Sequence, residues 1–190
     1  MLYKGVFMKI YVARHGQTDW NKMNILLGNT DKPLNDEGIR QAHILRGNIK
    51  EINFDIVISS DLKRAFQTAC IACPQNDIIK DPKFRERNYG VLEGTTPKNL
   101  KDYWVVATNK DDNSVERITN FLDRIFSEMD IIINKYSKYS NVLIVTHHGV
   151  AMAIDAYFKN KYNYCFDNFI LDNGHFNCYE VREKGNDERG

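Results

Sequence analysis

Four short apolar runs, rich in β-branched residues, punctuate the chain: Lys9–Ala13, Asp55–Ser59, the weaker Asp77–Lys80, and Asn141–Thr146. They lack a strict polar alternation, as strands covered on both faces of a parallel sheet do. Between them, apolar positions recur at helical spacing. Asn35 is a suitable N-cap for a helix carrying Ile39, Ala42, His43, Leu45, Arg46 and Ile49. Ser60 is placed to cap a helix with Leu62, Ala65, Phe66, Ala69 and Ile71, and Ser114 a long one with Ile118, Phe121, Leu122, Ile125, Phe126 and Met129. A fourth helix is expected from near Gly149 to around Phe158. Asn173-Gly174, between Phe169-Ile170-Leu171 and the Phe176, Tyr179, Val181 series, reads as a hairpin turn. Strands alternating with helices predict an α/β fold. The expected form is a three-layer αβα sandwich around a mostly parallel, mixed sheet with an antiparallel edge.

The length, 190 residues, suits one domain spanning 1–190. Residues 1–7 read as an extension ahead of the core, or a product of start-site choice. Residues from about 91 to 113 read as a small cap or insertion, with Asn109–Asn113 its most loop-like part, and 184–190 as a frayed tail. Lys plus Arg number 26 and Asp plus Glu 25, a net charge of +1. Such a balance does not suit sequence-blind nucleic-acid binding, which needs a basic face. With 43% hydrophobic residues, the chain is not a disordered tail either. No apolar run exceeds five residues, which excludes a transmembrane helix. The first residues lack the long apolar core of a secretion signal. Cys70, Cys73, Cys165 and Cys178 are too irregular for a disulfide framework. A cytoplasmic domain with reduced, packed thiols follows, with neither nucleic-acid nor membrane partners expected. A homodimer is compatible with this reading.

In open α/β sheets, ligands gather at the carboxyl ends of strands. The first strand is followed by Arg14-His15-Gly16-Gln17-Thr18. The second is followed by Ser60 and a helix bearing Arg64, and the last by His147-His148-Gly149. Arginines and histidines thus converge, with Gly16 and Gly149 allowing close approach of the backbone.

Here the chain resembles the histidine phosphatase superfamily, in the branch related to cofactor-dependent phosphoglycerate mutase. Arg14-His15-Gly16-Gln17-Thr18 with Asn21 is similar to the family's opening signature. Gly28, Asp31, Pro33, Leu34, Gly38, Gln41 and Ala42 continue it. The run from Ser59 to Ala69, then Glu86, Gly90, Glu93 and Gly94, then Val145-Thr146-His147, resemble the later blocks in order. Two departures are visible. Ile25, Leu26 and Leu27 stand where family members often carry Arg and Gln, and His148 stands where a glycine follows the last histidine. Strand register favours His147 over His148 as the match to that histidine.

The resemblance implies a phosphoglycerate mutase-like fold and a metal-independent phosphomonoesterase acting on a small phosphorylated substrate. His15 is the implied nucleophile, and a neutral imidazole suits that role near pH 7. Arg14 and Arg64 are donor forks for phosphate oxygens, and a cationic His147 would add charge there. Gly16, Gln17, Asn21, Gly28, Tyr89 and His148 are further substrate-binding candidates. Glu86 is the candidate acid and base, with Glu93 the competing carboxylate. On an extended segment, Arg85 and Arg87 should face away from Glu86. His43 is expected to be packed on its helix. No cofactor and no metal site are expected. Mutase-type phosphoryl transfer, non-catalytic binding of a phosphorylated ligand, and a metallohydrolase using His147 and His148 stay open as alternatives. The span from Gly94 to Ser114 offers only Lys98, Lys101 and Lys110 for a substrate carboxylate, which favours hydrolysis over the mutase reaction.

Overall fold

The computed structural model describes residues 4–96, 114–159 and 169–183. Element order begins with β1 (Lys4–Arg14), a short α1 (Asp19–Lys22), α2 (Asp36–Ile49), β2 (Ile56–Ser59), α3 (Lys63–Ala72) and β3 (Ile78–Lys80). Two 3-10 turns follow, Pro82–Phe84 and Gly90–Leu92. The chain continues through α4 (Ile118–Lys135), β4 (Asn141–Thr146), α5 (His148–Phe158) and β5 (Phe176–Glu183). One five-stranded sheet runs in the order β3-β2-β4-β1-β5. The first four strands are parallel, and β5 adds to β1 in the antiparallel sense.

Alternation along the strands divides the core into two layers. Ile10, Val12, Ile58, Val142 and Ile144 face a cluster completed by Phe121, Ile125, Met129 and Ile132 of α4 and Val150 to Ile154 and Ala156 of α5. Tyr11, Ala13, Val57, Leu143 and Val145 face the other cluster, with Leu45 and Ile49 of α2 and Ala69 and Ala72 of α3. Helices therefore cover both faces of a mostly parallel sheet, as the strand composition requires.

Several local expectations change. Residues 4–7 are not an extension: they belong to β1, where Val6 faces Arg182 of β5. Asn35 does cap α2, accepting from the Gly38 amide at 2.8 Å. However, Ser60 and Ser114 do not cap their helices, which start at Lys63 and Ile118 after Leu62 and Arg117. Each hydroxyl has a tertiary partner instead, Ser60 at His147 and Ser114 at the Val91 amide. The inner stripe of α2 is Gly38, Ala42, Leu45 and Ile49, so Ile39 and His43 face solvent. Cys73 is buried, whereas Cys70 and Cys178 are exposed and not packed. The expected hairpin does not form. Residues 169–171 are not a strand, and the Asn173-Gly174 turn delivers β5 to β1. Most of the expected cap at 91–113, Cys165, and the tail at 184–190 lie outside the described residues. Among the described residues, no helix is long and apolar enough to cross a membrane.

Candidate active site

Sheet register assembles the site. Arg14 at the end of β1 pairs with Thr146 at the end of β4, and Ser59 at the end of β2 pairs with Val145. His15, Ser60 and His147 therefore leave the sheet at one level, although 132 residues separate the two histidines (147 − 15). Backbone bonds extend the ladder past the strands: His15 donates to the Thr146 carbonyl at 2.9 Å and Ser60 to the Val145 carbonyl at 3.0 Å. The His15 and His147 rings then meet edge-on, with centroids 5.1 Å apart.

His15 is buried, and its Nδ1–H donates to the Gly16 carbonyl at 2.7 Å. That bond places the ring's lone pair on Nε2. Burial, then the charges of Arg64 and Arg14, hold its pKa well below the usual histidine value, so the ring is neutral at pH 7. The loop is fixed from three sides. The Gly16 amide donates to Thr68 Oγ1 at 3.0 Å, and Asn173 Nδ2 donates to the His15 carbonyl at 2.8 Å. Beneath it, Gly16 lies against the Gly38 backbone so closely that a β-carbon would collide with the Gly38 carbonyl. Close packing, not an unusual φ, is what makes glycine necessary here.

Arg64 is only 1% exposed. Its Nη1 donates to the Thr30 carbonyl at 2.9 Å, its Nη2 to the Gly28 carbonyl at 2.7 Å, and its Nε to His147 Nδ1 at 3.2 Å. Burial pushes its pKa down to about 10, which still leaves it charged at neutral pH. The loop that offers these carbonyls is clamped by Glu93, whose oxygens accept from the Asn29 and Thr30 amides, each at 2.8 Å, and from Thr30 Oγ1 at 2.6 Å. Glu93 is thus committed to the loop, and Gly28, at φ +53°, turns directly over it. Arg14 donates from Nη1 to the Leu171 carbonyl at 2.9 Å, and its buried Nε has no partner among the described residues. Among those residues, neither Arg14 nor Arg64 closes an ion pair with a carboxylate.

His147 differs from the sequence expectation of a cation. Its Nδ1 accepts from Arg64, so Nε2 carries the proton and donates to Ser60 Oγ at 2.8 Å. Burial first, and then Arg64, hold its pKa well below the usual value. In this state His147 is a neutral ring that orients a guanidinium.

Glu86 lines the cavity. Its Oε1 accepts from the Arg87 amide at 2.9 Å, and its Oε2 from the Gly149 amide at 3.0 Å, in the first turn of α5. Arg85 pairs with Asp61, and Arg87 Nε donates to the Glu116 carbonyl at 2.8 Å. Among the described residues, neither guanidinium hydrogen-bonds the Glu86 carboxyl group, although Arg87 is near enough to feel its charge.

Arg14, His15, Arg64, Glu86 and Gly149 line a 390 Å³ cavity together with Gln17, Asn21, Asn24, Ile25, Leu26, Leu27, Gly28, Tyr89, His148 and Asn173; His147, which holds Arg64, is not among the lining residues. Gln17 is tied to α2 through Gln41 and Asn35, and Asn21 closes the capping box of α1 with Thr18. Tyr89 is buried and borders the cavity as well. Sequence reasoning missed Thr68, Asn173 and the Ser60–His147 bond. Thr68 follows Arg64 by one helical turn, a spacing that could have flagged it. Among the described residues, no three His, Cys, Asp or Glu side chains converge as a metal site would require.

A neutral imidazole beside two guanidiniums, neither of them in a direct ion pair among the described residues, is chemically suited to a compact oxyanion at the carboxyl edge of a parallel sheet. The family model of the histidine phosphatase superfamily (branch 1) matches residues 10–189, and the chain belongs to that superfamily. It is 30% identical over 169 residues to a probable phosphatase of Schizosaccharomyces pombe, covering 87% of this chain and 80% of that one. It is 32% identical over 161 residues to phosphoglycerate mutase-like protein 4 of Arabidopsis thaliana, covering 78% and 70%. Among solved structures, the α-ribazole phosphatase of Shigella flexneri superposes with a TM-score of 0.80 at 25% identity, covering 90% of this chain and 89% of that one.

Proposed function

We propose that the protein is a metal-independent phosphomonoesterase that hydrolyses a small phosphorylated metabolite through a phosphohistidine at His15. The observation that carries this reading is the His15 tautomer, with Nε2 unprotonated beside Arg14 and Arg64, neither of which closes a direct ion pair among the described residues. In the first step His15 Nε2 forms a bond to phosphorus as the P–O bond to the leaving group breaks. Arg14 and Arg64 hold the equatorial oxygens, where charge accumulates. Glu86, entering this step as the protonated acid, gives its proton to the departing oxygen and is left as the carboxylate. In the second step Glu86 takes a proton from water, which attacks phosphorus and releases inorganic phosphate and free His15. His147 keeps Arg64 aimed at the oxyanion.

The test is phosphate release from a panel of phosphorylated metabolites, scored by kcat/KM, with EDTA present and no bisphosphate primer. Turnover under these conditions, an acid-labile phosphoryl adduct on His15, and a loss of at least ~10³-fold in His15→Ala are expected. Dependence on an added metal, or rapid interconversion of 2- and 3-phosphoglycerate outpacing hydrolysis, would overturn the reading.

A further inference from the structure

His148 is the residue that neither the sheet register nor the phosphate chemistry needs. It is the first residue of α5, it borders the cavity, and its neighbour Gly149 holds Glu86. Its Nδ1 faces the Leu171 carbonyl at 3.5 Å, the same oxygen that receives Arg14 Nη1. A carbonyl only accepts, so Nδ1 carries the proton and Nε2 the lone pair. Phe169, tilted against the ring at 5.6 Å, fixes its plane. Burial and the charge of Arg14 disfavour protonation of the ring. The cavity is further lined by Ile25, Leu26 and Leu27, which offer no side-chain donor or acceptor.

We infer that His148 is a specificity-determining residue whose Nε2 accepts a hydrogen bond from a hydroxyl on the leaving group. The preferred substrates are then uncharged, hydroxyl-bearing phosphomonoesters rather than carboxylate-bearing ones. This inference rests on the phosphomonoesterase reading above. A neutral acceptor rewards a hydroxyl and repels a carboxylate; beyond Arg14 and Arg64 the described lining residues include no cation, Asn21, Asn24 and Asn173 offering only neutral amides, and the apolar Ile25, Leu26 and Leu27 add to the cost of burying that charge.

The test compares kcat/KM for glycerol 1-phosphate, propyl phosphate and 3-phosphoglycerate in the native protein, His148→Leu and His148→Gln. p-Nitrophenyl phosphate reports whether the native protein hydrolyses any ester. Ratios taken on one preparation cancel differences in folded fraction. The native protein should favour glycerol 1-phosphate over each of the other two by about tenfold or more. His148→Leu should bring the glycerol-to-propyl ratio near one, and His148→Gln, which keeps an acceptor, should recover most of it. A native protein without that preference, a preference for 3-phosphoglycerate, or an unchanged ratio in His148→Leu overturns the inference while leaving a phosphatase in place. Failure to hydrolyse any ester, p-nitrophenyl phosphate included, removes the phosphomonoesterase reading and this inference with it.

Discussion

The cavity has two ends built in different ways. At the strand ends, His15, Arg64 and the supporting His147 are buried, and each is held by hydrogen bonds with a different segment of the fold: His15 with Asn173 and Thr146, Arg64 with Gly28 and Thr30, His147 with Ser60. At the other end, Asn24 to Leu27 and His148 are partly exposed, or, like Leu27, packed without a polar partner in the cavity. The first end depends on sheet register and tolerates little change. The second is made of loop and helix-start residues, which can vary without disturbing the core. On the proposed function, reaction type belongs to the first end and substrate choice to the second.

Three perturbations would break or sharpen this contrast. The largest effect should come from Arg64→Ala. It removes an oxyanion donor and the partner of His147, and kcat should fall by about 10²–10³-fold for every substrate alike. A substrate-dependent loss would mean that Arg64 belongs to the selective end. Next comes stability against pH. His15 and His147 are held neutral in the fold, while the unfolded chain protonates both as pH falls below 6.5. The unfolded state then binds more protons, so stability drops as the medium is acidified from pH 7 towards 5. Each histidine contributes a slope of up to about 1.4 kcal/mol per pH unit. Denaturant titrations should show this decline, and His147→Gln should make it shallower. An unchanged slope in that variant would show that His147 titrates normally. The smallest effect is expected from Leu26→Ala, about fivefold, mainly in KM and unequal between substrates. A uniform loss in kcat would erase the distinction between the two ends.

The legible and illegible parts of the sequence follow the same division. Strands with β-branched runs, and the histidines and arginines just beyond them, could be placed because parallel pairing aligns strand ends. Ser60 and Ser114 misled because a hydroxyl before a helix reads as a cap, whereas tertiary partners claimed both. The hairpin failed because β5 pairs with a strand more than 160 residues earlier, from Ala13 to Phe176 (176 − 13), and turn chemistry is blind to that distance. The inner face of α2 was misjudged at Ile39 and His43 because its contact residues include a glycine and an alanine, which carry little hydrophobic signal. Asn173 looked like a turn residue and is one. Its second role, holding the His15 carbonyl, depends on where the turn docks. The sequence favoured Glu86 over the competing Glu93; Glu86 lines the cavity, whereas the hydrogen bonds of Glu93 tie it to the loop.

The strand order carries a consequence for how the molecule comes into being. β1 and β2 never touch in the sheet, because β4 lies between them. A nascent chain that has emerged only as far as β3 holds His15 and Arg64 but lacks the strand that sets them side by side. The site is completed when Asn141–Thr146 slots into the gap, late in synthesis. Any chain cut short before that strand would carry His15, Arg14 and Arg64 yet lack the sheet that brings them together. The appearance of activity during translation or refolding would therefore time the insertion of the central strand.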